Sequence, residues 1–298
     1  MNDLDEIREI IDRLKSLVQE GKIDPKTLLA EIGGESKGEV REINLEEIAA
    51  EESEAQSYFF GEEIRFAAED FEPYSEEIRR CMPFGLEPHI LLPRSFTPQS
   101  QYPGWRVRME KWVYTRIENE EMPPETINLS PYFDTAALVL VDTRMKPDYQ
   151  NGRQMYRNDS DFLGKIIGQM RENGVIPRRG YIEKGSRYAI SWTEIHRFIL
   201  PELAKLLGLK RDQIRLPRLV EFCFLSDCFY PQWYQGNTWE WFEDNVRFGS
   251  REEKLFGGKF SFATMSTSVY TNWPEARSDR IGFRPLILLG KLDRWKLG

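Results

Sequence analysis

The sequence predicts a mixed α+β fold in which helices flank a strand-rich centre. Residues 135–141 include five consecutive apolar side chains, as expected of a strand that is buried on both faces. Residues 161–173 and 192–207 instead place apolar side chains at helical spacing, and a glycine follows each segment. With 40% hydrophobic and 30% charged residues, the chain can bury a large core beneath a solvated surface.

Residues 1–34 are predicted to form an N-terminal helical hairpin. Apolar residues follow one helical stripe from Leu4 to Val18. A second helix is expected to start at Pro25, which suits the first helical position, and to stop at a Gly-Gly pair. The pattern leaves open whether residues 4–32 pack on their own domain, pair with a second copy or dock another protein.

Residues 35–80 are predicted to be an acidic linker and a helix-rich entry segment that lead into the main domain, residues 81–298. Residues 1–80 carry 23 acidic and 10 basic side chains, although the net charge of the whole chain is only −8. Such a charge density favours a solvated segment. Neither part of the chain has the dense basic patch that phosphate binding requires, so we expect no nucleic acid partner.

The first part of the main domain is predicted to be irregular and then extended. Five prolines interrupt residues 83–103, which argues against regular elements there. Residues 104–116 carry Trp105, Val107 and Met109 at alternating positions, and this spacing predicts a strand.

The cysteine content and hydropathy bear on the cellular setting. Cys81, Cys223 and Cys228 are an odd number in a long chain and indicate reduced thiols rather than a disulfide framework. No stretch approaches the roughly 18 to 20 apolar residues of a membrane span. The first residues lack the basic start and apolar run of a signal peptide. We therefore expect a prokaryotic, cytoplasmic protein without a membrane span.

Four short blocks in the last third of the chain carry the most specific pattern. Two tryptophans at period-two spacing can point to the same side of a strand, and the glycines allow close backbone approach. The residues that define these blocks are Arg215, Leu216, Pro217, Asn237, Trp239, Trp241, Gly257, Gly258, Gly282, Phe283 and Arg284.

In their order and spacing these blocks resemble those of the formylglycine-generating-enzyme, or sulfatase-modifying-factor, superfamily. The resemblance covers residues 185–289 well and residues 83–184 only by general pattern. It implies a C-type lectin-like fold of the formylglycine-generating-enzyme type, here with an N-terminal helical appendage.

The resemblance does not extend to the family's catalytic groups. Formylglycine-generating enzymes hold copper with two cysteines between the last two blocks, but residues 259–280 contain no cysteine. The related iron-dependent sulfoxide synthases need a histidine cluster, whereas this chain has only His89 and His196. Cys223 and Cys228 lie in an apolar run that indicates buried structural thiols. We therefore expect no enzymatic activity, no catalytic residue and no catalytic metal or other cofactor.

Calcium chemistry is only partly excluded by the sequence. The triplets with which C-type lectins bind calcium and sugar are missing, so calcium-dependent sugar binding is not expected. Asp227, Glu243 and Asp244 could supply hard oxygen ligands, and a structural calcium is left open.

The C-terminal part of the chain also resembles the variable proteins of diversity-generating retroelements, which have the same fold. That resemblance implies a non-enzymatic protein that presents a diversified C-terminal surface to a ligand. Residues 261–272 are rich in Ser, Thr, Tyr and Asn, as antibody-like binding surfaces are, so the expected ligand is a protein. The predicted ligand-binding residues are Trp233, Tyr234, Phe262, Thr264, Ser266, Ser268, Tyr270, Asn272, Trp273 and Arg277.

Two alternative functions remain open at this point. The same fold could act as a fixed recognition module of an intracellular multiprotein complex, with the N-terminal hairpin as its docking element. It could also be a degenerate oxygenase of the formylglycine-generating type.

Overall fold

The computed structural model describes residues 43–156, 161–261 and 264–296. The predicted hairpin of residues 1–34 and the predicted binding residue Phe262 lie outside the described residues. Within them, the chain combines helices with two sheets, which confirms the α+β class. None of the helices in the described ranges combines the length and the apolar character that crossing a membrane requires.

Three helices open the described part of the chain: α1 (Leu45–Phe60), α2 (Ala68–Phe71) and α3 (Ser75–Cys81). Asn44 begins α1, since its side-chain oxygen accepts hydrogen bonds from the backbone N–H groups of Glu46 and Glu47. Phe59 and Phe71 are fully buried in the core. Within the predicted linker and entry segment, residues 43–80 are mainly helical and packed: many of their acidic residues are exposed, while their aromatic residues pack inward.

The strands fall into two sheets. In chain order the strands of the described residues are β1 (Leu86–Leu91), β2 (Arg108–Met109), β3 (Thr135–Asp142), β4 (Ile214–Arg215), β5 (Trp239–Phe248), β6 (Arg251–Ser261), β7 (Ser266–Asn272), β8 (Ile281–Gly282) and β9 (Leu286–Lys296). The four-stranded sheet has the order β1-β3-β9-β4 and is antiparallel throughout. Every residue of β3 is buried, as its uninterrupted apolar run predicts.

The five-stranded sheet has the order β2-β7-β6-β5-β8. The three long strands β5, β6 and β7 pair antiparallel, and the two-residue strands β2 and β8 add parallel edges. β6 pairs with β7 across a bulge between Gly257 and Lys259. Four of the ten predicted binding residues lie on its strand β7, namely Ser266, Ser268, Tyr270 and Asn272.

The remaining helices are α4 (Lys111–Glu118), α5 (Phe162–Glu172), α6 (Trp192–Glu194), a π-helix (Ile195–Ile199), α7 (Leu200–Leu206) and α8 (Leu219–Cys228). α5 lies within the helix predicted at residues 161–173, and α6 to α7 occupy the helix predicted at residues 192–207. The strand predicted over residues 104–116 is wrong beyond the two residues of β2. In the second half of this segment, Val113 and Ile117 lie four residues apart, which is a helical spacing, and this part of the chain forms α4.

Helix α8 lies beneath the five-stranded sheet. Its residues Leu219 to Ser226 are all buried. Phe222 packs against Phe242 of β5, with ring centroids 5.3 Å apart, and the Sγ atom of Cys223 lies 3.6 Å from the hydroxyl of Thr267 on β7. One face of the sheet is thus packed against the core.

Candidate binding surface

A buried ion pair joins the closing Gly-Phe-Arg block to strand β5. The guanidinium of Arg284 donates to both carboxylate oxygens of Glu240, at 3.1 and 3.0 Å, and neither side chain is exposed. The hydroxyl of Tyr156 donates to the same carboxylate. Arg284 also donates to the backbone carbonyl of Arg144, at 3.0 Å. This network holds the start of β5 against the loop that follows β3.

Trp233 and Tyr234 do not border a binding surface, contrary to the prediction. Trp233 is fully buried, and the guanidinium of Arg284 lies 3.6 Å from the centre of its ring. Tyr234 is 6% exposed, and its hydroxyl donates to the carbonyl of Cys223 at 3.3 Å. Proline and glutamine in this loop suggested exposure, but the aromatic rings complete the core around Arg284.

The Arg-Leu-Pro block anchors the other part of β5. Arg215 donates two hydrogen bonds of 2.7 Å to the carboxylate of Glu221 on α8. Burial alone would raise the pKa of Glu221, but the facing guanidinium groups lower it to about 2. The backbone N–H of Glu243 donates to the carbonyl of Pro217, and the N–H of Leu216 donates to the Glu243 side chain. These bonds fix the position of β5 relative to α8.

A buried lysine ties the loop after β3 to the sheet. The Nζ atom of Lys146 donates to the carbonyl of Thr238, at 3.0 Å, and to the carbonyl of Gly258, at 2.6 Å. Burial lowers the pKa of Lys146 to about 7, and the positive charges of Arg284 and Lys259 act in the same direction. In the same loop, the N–H of Tyr149 donates to the side-chain oxygen of Asn237.

Three aromatic rings meet on the side of the sheet that faces away from α8. The strand register pairs Trp241 with Phe256, and Phe256 with Tyr270. The rings of Phe256 and Tyr270 stack with centroids 5.5 Å apart, and the ring of Trp239 lies 6.0 Å from Tyr270 and 6.2 Å from Phe256. Tyr270 is 48% exposed, whereas Trp241 is buried beneath the cluster. We call the partly exposed rings of Trp239, Phe256 and Tyr270 the aromatic face.

Polar and charged side chains surround the aromatic face. Lys254 and Asn272 pair in register next to Phe256 and Tyr270, and Lys259 pairs with Ser268 beyond the bulge. The ammonium of Lys254 lies 4.2 Å from the centre of the Trp192 ring. Because side chains alternate along a strand, these positions lie on the same side of the sheet as the rings.

Tyr149 lies at one border of the aromatic face. The hydroxyl of Tyr149 donates to Asp279 at 3.1 Å, and its ring lies 4.4 Å from the guanidinium of Arg280. Arg280 in turn accepts a backbone hydrogen bond from Trp239. Trp273 follows β7 and is 55% exposed, with the guanidinium of Arg251 5.2 Å from its ring.

The other predicted binding residues divide between exposed and buried positions. Thr264 is exposed at the tip of the β6–β7 hairpin, and Asn272 is half-buried. Ser266 and Ser268 are buried, at 3% and 8% exposure, so their prediction as exposed contact residues is wrong. Neighbouring strands and loops cover both serines. Arg277 is partly exposed and forms an ion pair of 2.8 Å with Glu194.

Phe256, Lys254, Lys259, Tyr149 and Arg280 belong to the surface but were not predicted from the sequence. For Lys254 and Phe256 a signal exists, since they flank buried Leu255, whereas Lys259 lies on the same side only because of the bulge after Gly257. Tyr149 and Arg280 give no local signal, because the loops that carry them are more than a hundred residues apart in the chain.

Both histidines of the chain contact carboxylates of the protein. His89 lies between Glu52 and Tyr230, at 3.0 and 2.7 Å, and His196 lies 3.3 Å from Glu243. Among the described residues no group of three or more His, Cys, Asp or Glu side chains could hold a metal ion. A structural calcium stays a prediction.

Two of the carboxylates predicted as possible calcium ligands accept hydrogen bonds from the backbone. Asp227 accepts the backbone N–H groups of Arg106 and Val107, both at 2.9 Å. Asp244 accepts the N–H of Leu219 at 2.6 Å. These bonds let the carboxylates hold neighbouring segments of the fold without an ion.

No family of known proteins, no curated protein and no solved structure matches this chain.

Proposed function

We propose that this chain is a non-enzymatic recognition protein that binds a protein ligand through the aromatic face. The observation that carries the proposal is Tyr270. Its ring is 48% exposed and stacks on Phe256, on a sheet whose other side is packed against α8. Tyrosine and tryptophan provide a large amphipathic contact area with few rotatable bonds, so binding costs little conformational entropy.

We propose further that a diversity-generating retroelement diversifies this surface. The resemblance to variable proteins supports this proposal, together with the exposure of Thr264, Tyr270, Trp273 and Arg277 at or near the C-terminal strands. In such a system the DNA downstream of the coding region holds a near-copy of the stretch encoding residues 250–285 that differs chiefly at adenines. Sequencing that DNA tests the proposal. If only unrelated sequence is found, the surface is a fixed recognition module.

Binding by the aromatic face can be tested without knowing the natural ligand. A phage-displayed library of random peptides is selected on the immobilised full chain, and the affinity of each selected peptide is measured by fluorescence anisotropy. We expect Tyr270→Ala to weaken binding by about tenfold or more, as truncation of a central aromatic contact does. Tyr58→Ala is the matched control, since Tyr58 is 67% exposed and lies on α1. Peptides that bind the Tyr270→Ala variant as tightly as the unaltered chain would overturn the proposal.

A further inference from the structure

The acidic side chains around the aromatic face already have partners within the chain. Glu252 pairs with Lys254 at 2.9 Å. Asp279 accepts the hydroxyl of Tyr149 at 3.1 Å. These carboxylates are therefore engaged in holding the surface together.

Two cations around the same face have no such partner. Among the described residues, no carboxylate lies within ion-pair distance of Lys259 or Arg280. Arg280 is exposed, and its guanidinium lies over the ring of Tyr149, whereas Lys259 is half-buried. They lie at two separate borders of the face, beyond the β6 bulge and beside Tyr149.

The surroundings of Lys259 favour an anion from outside the chain. Lys259 lies beside Gly258, whose carbonyl accepts the buried ammonium of Lys146. The two lysines repel each other, and the charge of Lys259 contributes to the lowered pKa of Lys146. A carboxylate placed at Lys259 would relieve this repulsion, and a carboxylate at Arg280 could form bidentate hydrogen bonds with its guanidinium.

We propose that the ligand of the aromatic face is an acidic protein surface, with an apolar or aromatic centre that contacts Tyr270 and carboxylates around it that pair with Lys259 and Arg280. This inference rests on the proposed function. Charge complementarity at the rim of an interface speeds association and selects the partner, while the buried rings supply most of the affinity.

The peptide selection described above also tests this inference. Peptides selected on the full chain are expected to combine aromatic residues with several Asp or Glu. Their affinity is expected to fall by about tenfold or more in Arg280→Glu and in Lys259→Glu, since each reversal turns attraction into repulsion. Arg280→Gln and Lys259→Gln are expected to give smaller losses, and circular dichroism checks that each variant folds.

Lys291→Glu serves as the matched control for the charge reversals. Lys291 is an exposed cation 4.8 Å from the ring of Tyr132, on β9 of the other sheet, so its environment is similar but remote from the aromatic face. We expect this variant to bind the selected peptides with unchanged affinity. An equal loss in Lys291→Glu would mean that only the net charge matters, and would overturn the inference.

Two results separate this inference from the proposed function. Neutral or basic peptides that depend on Tyr270 but not on Arg280 or Lys259 would overturn the acidic ligand and leave the binding face intact. Peptides that depend on none of these residues would overturn both. Sedimentation of the chain alone tests a second copy as the occupant: self-association abolished by Arg280→Glu would also contradict the proposal of a separate acidic partner.

Discussion

The guanidinium of Arg284 lies 3.6 Å from the centre of the Trp233 ring and donates to both oxygens of Glu240. One side chain therefore joins the closing block of the sequence to the loop before β5 and to β5 itself. This contact makes Trp233 part of the core. The pairing with Arg284 holds Glu240 on the buried side of β5, so that its neighbours Trp239 and Trp241 lie on the side of the aromatic face. It also leads to the first prediction.

Replacing Glu240 with Gln is expected to destabilise the fold strongly. The substitution leaves the guanidinium of Arg284 buried without its counter-charge, which costs about 3–5 kcal/mol. Urea unfolding of both proteins measures the difference. Glu202→Gln is the control, because Glu202 pairs with Lys205 at the surface and such pairs contribute about 1 kcal/mol or less. Similar losses in the two variants would contradict a special role for the Arg284–Glu240 pair.

Replacing Gly257 with Ala is expected to destabilise the β6–β7 pairing. A Cβ atom at this position would lie 2.3 Å from the backbone oxygen of Ser268, and the strands would have to separate to admit it. Overpacking of this kind costs about 1–3 kcal/mol in the free energy of unfolding. Gly180→Ala is the control, since nothing lies within 4 Å of the added carbon there. Thermal unfolding should show a lower midpoint for Gly257→Ala alone, and equal midpoints would refute the prediction.

Stability is expected to depend on pH through Asp227. Burial raises the pKa of Asp227 from 3.8 to about 7, although the N–H groups of Val107 and Arg106 act in the opposite direction. Between these two values the folded state binds more protons than the unfolded state, so this group lowers the free energy of unfolding as pH rises from about 4 to 7.

The Asp227→Asn variant isolates this contribution. Its side-chain oxygen can still accept both N–H groups, but the amide does not titrate. The free energy of unfolding of the variant relative to the unaltered chain should therefore increase with pH over this window, as urea unfolding at several pH values would show. Asp293→Asn, at a 78% exposed side chain, is the control. A difference that stays constant with pH would rule out Asp227 as the titrating group.

The buried thiols are expected to resist modification in the folded chain. Burial raises the pKa of Cys81 to about 11 and that of Cys223 to about 12, so little reactive thiolate exists near neutral pH. An aromatic disulfide reagent at pH 8 should therefore modify these two residues slowly, and rapidly once urea unfolds the chain. Mass spectrometry of the digested protein identifies the modified sites. Rapid labelling of Cys223 in the folded protein would disagree with its placement against Thr267.

Regular elements could be predicted from the sequence where one periodicity dominated. The apolar run of β3 and the helical spacing of α5 each show how the segment is buried, and each element forms as predicted. Helix α8 gave no such signal, because a helix that is buried all round is apolar on every side and lacks an amphipathic stripe. Helix α1 was hidden by its charge, since the acidic residues that suggested a linker are the solvent face of a packed helix.

The sequence by itself determined the α+β class and the spacing that places Trp239 and Trp241 on one side of a strand. It also identified Tyr270 and Trp273 as candidate contact residues, and the structure places both at the surface. Only the tertiary structure decided that Trp233 is buried and that Phe256 lies beneath Tyr270. It also decided that Lys259 and Arg280 reach the same surface. The reason is that strand pairing and loop packing join residues that are distant in the chain, whereas the periodicity of a segment reports only how that segment divides between core and solvent.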